Sequence, residues 1–454
     1  MTTTKKKYIS ATIARMSNQT ITVSKHVNNN VILLKPIQEM WYDTLDCDKL
    51  TAKFGSPLFV VSKETIKQKV NHLKKIFNFP GYELVIGYSF KTNYLPGVCK
   101  VFLEEGCWAE VVSEMEYDLA RRLNVSGDKI IFNGPHKTDE GIANTIKNGS
   151  ILHLDNIQEY ERVCQIASDL QICANVGIRF NFQYYNYSWD KFGFRFNEEE
   201  FNVLFEDMAK QKYINFVSLH NHCGTYILEP DLYVASINTM YLIIQMAQKH
   251  GIAPSMIDIG GGLPSTAPLR EKYTAGYITG NGINLALYAD AIAPGLEKIR
   301  KLLGNKKLRL VLEPGRAVID EAVALITTVI ANKNGKHDSK ITLIDAGVNI
   351  LPTTTWYNRV PKVAKQHDSE YTKQRLCGPL CMQIDVISEG SYLPNLKPGD
   401  HMIIPNVGAY NHTQSMQFIQ YRPATILMDD NFKPVLIQRK ENFDDVFLRD
   451  IFPK

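Results

Sequence analysis

Leu84-Val-Ile-Gly-Tyr-Ser89 is an apolar run that stops at a serine, passes through Phe90-Lys-Thr-Asn93 and gives way to a segment of helical period. A short strand-like run closed by polar or glycine-rich residues and followed by a helix-period segment reads as one βα unit. Seven more such runs follow: Trp108–Val112, Lys129–Phe132, Ile151–Leu154, Val176–Phe180, Phe216–Leu219, Met256–Ile259 and Leu308–Leu312. Eight βα units predict an α/β fold closed into a (β/α)8 TIM barrel, with an open doubly wound sheet as the alternative. Residue types suited to chemistry fall just past these runs: Lys91, Ser113, Asn133, Asp155, Asn181, His222, the Gly260–Gly262 run, and Glu313 with Arg316. In a closed barrel the active site lies on that face, which favours the barrel.

Beyond about Ala322 the pattern changes to strand-like runs without long helices between them: Ala322–Ile330, Lys340–Ile344, Gln383–Ile387, His401–Ile404 and Thr425–Met428. Asn395-Leu-Lys-Pro-Gly-Asp400 has the composition of a turn. The expectation is a second, all-β domain, made discontinuous by N-terminal runs at Thr20–Val23 and Val31–Leu34. The expected boundaries are 1–45 for its N-terminal segment, 46–320 for the barrel and 321–454 for the rest. A chain of 454 residues is long enough for two cores, since one core stops growing at roughly 250–300 residues.

Composition excludes several classes of function. The formal charge of +4 is small, and the lysines and arginines are scattered, so no nucleic-acid partner is expected. No apolar stretch approaches the ~18–20 residues of a spanning helix, and no apolar segment follows Lys5–Lys7. The expectation is therefore a cytoplasmic chain with no membrane partner. The eight cysteines lie at irregular intervals without a CxxC pair, which suits buried thiols better than disulfides or zinc.

The residues past the strand ends differ in what they offer. Lys91, taken alone, reads as a solvated lysine; in a partly desolvated pocket its amine could form an imine with an aldehyde cofactor. Three glycines in Asp258-Ile-Gly-Gly-Gly262 allow backbone N–H groups to approach a phosphate, or simply make a tight turn. In Leu312-Glu-Pro-Gly-Arg316 the guanidinium suits a phosphate and the carboxylate suits a protonated pyridine nitrogen, against the plainer reading of an ion pair. His220-Asn-His222-Cys-Gly-Thr225 offers two histidines at i and i+2, which could pair on a metal. With no third ligand at a recognisable spacing, no metal is expected, and His222 stacked on an aromatic cofactor with Thr225 on its phosphate is the better use. Cys377-Gly-Pro-Leu-Cys381 makes a turn before a strand, and leaves Cys381 either as a buried thiol or as a proton donor of moderate pKa.

In combination these segments resemble the alanine-racemase-fold (fold type III) pyridoxal 5'-phosphate decarboxylases, the group of diaminopimelate, ornithine and arginine decarboxylases. The resemblance runs from about Gly55 to the C-terminus. It rests on the YxxKxN-like box at Lys91, VVSxxE at Val111–Glu116, HxHxGT at His220–Thr225, the glycine triplet, EPGR at Glu313–Arg316, GPxC at Gly378–Cys381 and GAY at Gly408–Tyr410. It implies that Lys91 forms the Schiff base with pyridoxal phosphate and that His222 stacks on the ring. It further implies that Thr225, Gly260, Gly261, Gly262, Arg316 and Tyr410 hold the phosphate and that Glu313 meets the pyridine nitrogen. Cys381 would be the proton donor, reaching the active site of the partner copy in a homodimer.

The departures from the family pattern fall on the substrate side. Thr353-Thr354 precedes Trp356-Tyr357 where diaminopimelate decarboxylases have Arg-Pro before the tyrosine; Met382 follows Cys381 where an acidic residue is usual; Phe418-Ile419 replaces a Tyr-Asn or Phe-Asn pair; and Met115 stands for a glycine. Thr353, Tyr357, Met382 and Phe418 are thus the expected substrate contacts, and they suit a distal ammonium poorly. The expected substrate is a modified diamino acid with a masked distal amine, such as a citryl-diamino acid of siderophore biosynthesis. The alternatives are diaminopimelate decarboxylation in lysine biosynthesis, an amino-acid racemase, which would want an arginine in place of Glu313, and a non-catalytic regulatory homologue.

Overall fold

The computed structural model describes residues 40–185, 189–270, 284–335 and 339–453. By its contacts the chain forms two units: Ile66–Ser265 with Ile283–Ile319, and a second built from the segments up to Thr65, from Thr266 to Gly282 and from Asp320 onward.

The first unit is the barrel. Its strands are β1 (Tyr82–Ser89), β2 (Trp108–Val111), β3 (Ile130–Phe132), β4 (Ile151–Leu154), β5 (Ala174–Asn181), β6 (Ile214–His220), β7 (Met256–Asp258) and β8 (Leu308–Leu312). Every neighbouring pair is parallel, and β8 pairs with β1 as β4 does with β5, so the sheet closes on itself. All eight expected strands are present. Apolar runs buried on both faces need helices outside and side chains inside, which is why these strands are nearly continuous in Val, Ile and Leu. Several of the polar residues just past the strands start the next helix: Ser113 accepts from the Glu116 amide, and Asn156 from that of Glu159. Such caps satisfy amides that the first turn leaves open.

The second unit is a mixed sheet. Leu58–Ser62 lies at its centre, antiparallel to Val323–Asn334 and parallel to Ala424–Met428. Val323–Asn334 also pairs with His401–Ile404 and Lys340–Ile344, and the latter leads to Thr372–Cys377 and Val386–Leu393. Leu58, Val60, Ala324, Ile326, Ile403, Ala424 and Ile426 form its core with Tyr42 and Leu50.

Three expectations about this unit change. Residues 46–65, assigned to the barrel from sequence, belong to the β unit, because Leu58–Ser62, a fully buried five-residue strand, finds its partners there; its pattern alone does not distinguish it from a barrel strand. The run Gln383–Ile387 becomes a strand only from Val386, because the Asp385 carboxylate is turned back to accept from the Val348 and Leu380 amides. Thr372–Cys377 and Pro434–Gln438 are further strands; the polar composition of Thr-Lys-Gln-Arg-Leu-Cys concealed the first, while the second, Pro-Val-Leu-Ile-Gln, is an apolar run that the sequence reading passed over. The N-terminal runs Thr20–Val23 and Val31–Leu34 lie outside the described residues. Among the described residues, no helix is long and apolar enough to cross a membrane.

Candidate active site at the C-terminal end of the barrel

Each strand delivers one polar or charged side chain to the same end of the barrel. Lys91 follows β1, Glu110 is in β2, Asn133 follows β3, and His153 and Arg179 are in β4 and β5. His220 ends β6, Asp258 ends β7 and Glu313 follows β8. All but Lys91 are buried. A barrel interior is ordinarily filled by layers of branched apolar side chains; here one layer is polar, and Lys91, Glu110, Asn133, Glu313 and His153 are hydrogen-bonded through it, whereas the ring nitrogens of His220 are buried without a hydrogen-bond partner. His153 fits because β5 carries Gly177, where a Cβ would run into the imidazole.

Lys91 Nζ lies 2.6 Å from Glu110 Oε2, and the lysine side chain is 34% exposed while the carboxylate is fully buried. The amine is thus reachable and its counter-ion is not. Burial alone would raise the Glu110 carboxyl; the charge of Lys91 and hydrogen bonds from Lys91, Ser89 and Asn133 outweigh it and hold it below the usual range. Asn133 Nδ2 donates to Glu110 Oε1 at 3.0 Å and to Glu313 Oε1 at 2.7 Å. Burial, followed by the neighbouring Asp258 and Glu110 charges, pushes the Glu313 carboxyl well up, and burial raises Asp258 beside it. Two carboxyls this close in a dry site disfavour each other's ionised form.

The histidines take separate roles. His220 lies 3.2 Å from Asp258 and 3.8 Å from Glu313, but burial keeps it neutral, so these are contacts rather than ion pairs. His222 sits past the end of β6, where Nδ1 accepts the Gly261 N–H at 3.0 Å. That bond leaves Nε2 as the protonated nitrogen of a neutral ring, and burial with the Arg179 and Lys91 charges disfavours the cation. Trp189 stands edge-on to it with ring centroids 5.6 Å apart. His220 and His222 therefore do not converge as a metal pair. His153, His220, Asp258 and Glu313 bring one ligand-type atom each within 4.8 Å, but both ring nitrogens of His153 are already bonded, to Asn133 and Ser218.

The glycine triplet and the EPGR turn make a cradle. Gly260 and Gly262 have φ of +68° and +97°, and a Cβ on Gly261 or Gly262 would collide with the Glu313 or Gly224 carbonyl oxygen. Only glycine fits that backbone. Arg316 opens a short helix beside it, buried, with its guanidinium 5.7 Å from the Tyr226 ring, and Thr225 is exposed on the neighbouring loop. A reachable amine, a neutral imidazole, a buried carboxyl and a glycine cradle with an arginine are the donor set that an aldehyde-bearing pyridine phosphate requires. The residues present fit the cofactor.

Other residues singled out from sequence have structural duties. Ser113 caps a helix, Asp155 accepts the Gly193 amide, and Asn181 donates to the Phe192 and Gly193 carbonyls. In the β unit Cys381 is exposed, Met382 and Phe418 are half-buried and Tyr410 has φ of +63°. Thr353 and Tyr357 are buried, and the Thr353 hydroxyl donates to Asn411 Oδ1 at 2.7 Å while accepting from Arg359 Nη2. Arg359, six residues on, thus brings a guanidinium to the Thr353 hydroxyl, and its other terminal nitrogen donates to the Asn406 carbonyl.

Sequence reasoning missed Glu110, His153 and Arg179 and assigned no role to Asp258. The available signal was a charged or imidazole residue inside an otherwise apolar strand, as in Trp-Ala-Glu110-Val and Ile-Leu-His153-Leu; attention to residues past the strand ends overlooked it.

Residues 63–320 match the family model described as pyridoxal-dependent decarboxylase, pyridoxal binding domain. The chain is 25% identical over 418 residues to a diaminopimelate decarboxylase of Aquifex aeolicus, covering 89% of this chain and 94% of that one. It is 26% identical over 436 residues to that of Methanocaldococcus jannaschii, covering 90% and 94%. The crystal structure of the M. jannaschii diaminopimelate decarboxylase superposes with a TM-score of 0.78 at 26% identity, over 89% of this chain and 94% of that one. The lysine/ornithine decarboxylase of Vibrio vulnificus, solved with cadaverine, shares the fold with a TM-score of 0.69 at 23% identity, over 84% and 97%. With more than half of its length inside that family model and a lysine, carboxyl and glycine cradle suited to the cofactor, the chain belongs to the pyridoxal phosphate-dependent decarboxylases of amino acids.

Proposed function

We propose that the enzyme removes the α-carboxylate of a diamino acid whose distal nitrogen is masked by a carboxylate-bearing acyl group, a citryl-diamino acid of siderophore biosynthesis being the type. The observation that carries this reading is Met382: an apolar, half-buried side chain follows Cys381 where the family pattern has an acid for a distal ammonium. Burying an ammonium beside it without a counter-charge is costly. Arg359, beside Thr353, supports a carboxylate at the distal end.

Bound pyridoxal phosphate supplies the electron sink for loss of CO2. In this reading Lys91 holds the cofactor, Glu313 keeps its ring nitrogen protonated and His222 lies against its face as a neutral ring. Arg316, the glycine cradle, Thr225 and Tyr410 take the phosphate. The Cys381 thiol gives a proton to Cα in place of the departed carboxylate, after which a proton from solvent restores the thiol.

Diaminopimelate is the second reading, favoured by the relatives, and Arg359 suits its distal carboxylate equally well. A panel pairing free and N-citryl diamino acids with meso-diaminopimelate separates them by CO2 release and product mass. The expected result is a kcat/KM at least about tenfold higher for an N-acylated substrate, the discrimination that one buried, uncompensated charge gives. Faster turnover of meso-diaminopimelate would overturn the proposal.

The enzyme is also proposed to act as a homodimer, with Cys381 of one copy serving the active site of the other. Supporting this, Cys381 is exposed, and Ile384 three residues on and Met416 and Ile419 elsewhere in the same unit are exposed apolar side chains, a composition suited to an interface. Mixing and reassorting inactive Lys91→Ala and Cys381→Ala proteins should restore about a quarter of wild-type activity, since half of the dimers are mixed and each has one intact site. No recovery would sink this arrangement.

A further inference from the structure

We propose that Asn133 is a positioning residue that ties the counter-ion of Lys91 to the carboxyl at the ring nitrogen, so that the two ends of the cofactor site respond as one hydrogen-bonded unit. This rests on the reading of Lys91 as the cofactor-bearing lysine.

The direction of every bond around Asn133 is determined. One N–H of its amide goes to Glu110 and the other to Glu313. A flipped amide would aim its oxygen at both carboxyls, so Oδ1 must face His153 Nδ1, 2.6 Å away, and that nitrogen must carry the proton. His153 Nε2 then accepts from Ser218 Oγ at 3.0 Å. The chain Ser218 to His153 to Asn133 is neutral throughout, points its donors at the two carboxyls, and is fully buried. A buried network with every member satisfied and oriented holds its parts rigidly.

The consequence concerns the proton shared between the Lys91 nitrogen and Glu110, 2.6 Å apart. When that proton leaves, the Glu110 charge loses its nearest donor and depends on the Asn133 and Ser89 hydrogen bonds. Without Asn133 the deprotonated state loses more than the protonated one, so the proton is held more tightly. Among the described residues the titratable groups acting on this pair are Arg179, Asp258, Glu313 and Glu116, with the imidazoles of His220 and His222; no hydrogen bond runs from any of them to Glu110, Glu116 is turned to the Val112 amide and Arg179 is held over the Phe192 ring, 4.6 Å away.

The test is a pH titration of the visible absorption of the holoenzyme, run beside thermal unfolding of the apoprotein. Asn133→Leu should raise the midpoint by about one pH unit, a tenfold change in proton affinity. Asn133→Ser, whose hydroxyl can donate to one carboxyl, should raise it by less, and serves where the leucine variant does not fold. A merely structural role would lower the thermal midpoint and leave the titration in place. An unchanged or lowered titration midpoint in either folded variant overturns the inference. A Lys91→Ala arm keeps the two readings apart: a visible band that survives it refutes the lysine assignment, and this inference with it, whereas a band that disappears sustains the lysine assignment, leaving the Asn133 variants to decide.

Discussion

Lys91→Ala protein reconstituted with pyridoxal phosphate lacks the visible absorption of a lysine-bound aldehyde, and its rate of CO2 release falls by about a thousandfold or more. Alanine offers no amine for the cofactor, and nothing remains to return product from the active site by exchange of one amine for another. A second effect follows from the position of Glu110. Its carboxylate is buried and held ionised chiefly by the lysine charge 2.6 Å away. With that charge gone, burial dominates and the carboxyl takes up a proton, which infrared spectroscopy reads as a new protonated carboxyl band. The fold should persist, because Lys91 itself is partly exposed and its neighbours stay hydrogen-bonded to Ser89 and Asn133. A variant that keeps both the absorption and the turnover would remove Lys91 from the chemistry.

The largest effect on stability is expected at Lys137. Its side chain is fully buried, and Nζ donates to the Gly134 and His153 carbonyls at 2.8 and 2.9 Å and to both oxygens of Glu159 at 3.0 and 3.1 Å. Glu159 also accepts the Asp155 amide. The lysine therefore clips the segments after β3 and β4 together directly beneath Asn133 and His153. Lys137→Met keeps most of the volume and leaves a buried carboxylate without its cation, which costs about 3–5 kcal/mol. Adding Glu159→Leu should recover much of that loss, since a paired apolar replacement removes the stranded charge. Urea denaturation of the single and double variants checks this. A single-variant loss below about 1 kcal/mol would mean that water reaches the site and solvates Glu159.

Much of the barrel was legible in the sequence because its strands are buried on both faces. Such strands read as unbroken apolar runs, and their regular alternation with helix-period segments leaves few topologies. The proposed cofactor residues Lys91, Glu313, Arg316 and Gly260–Gly262 stood out for a related reason: each sits where a strand ends, so position along the chain already implies position in the fold, while their roles rest on the family resemblance. Leu58–Ser62 was misassigned because a short apolar strand looks the same in a barrel and in a mixed sheet, and only its partners at Val323–Asn334 and Ala424–Met428 distinguish them. Thr353 shows the same limit on the substrate side. That no arginine stands at that position was visible in the sequence, while the bond from the Arg359 guanidinium to its hydroxyl came only with the structure.

The order of residues thus carried the fold class and the glycine-rich turn, since these follow from local periodicity and from backbone conformations that one residue type alone can adopt; Lys91 gained a role only through the resemblance of several motifs in combination. The polar layer of the barrel came only with the tertiary structure. Glu110, His153, Arg179 and Asp258 lie far apart in sequence, and each taken alone is a polar residue in an apolar strand. Closure of the sheet brings them close enough to act electrostatically on one another in a water-poor interior.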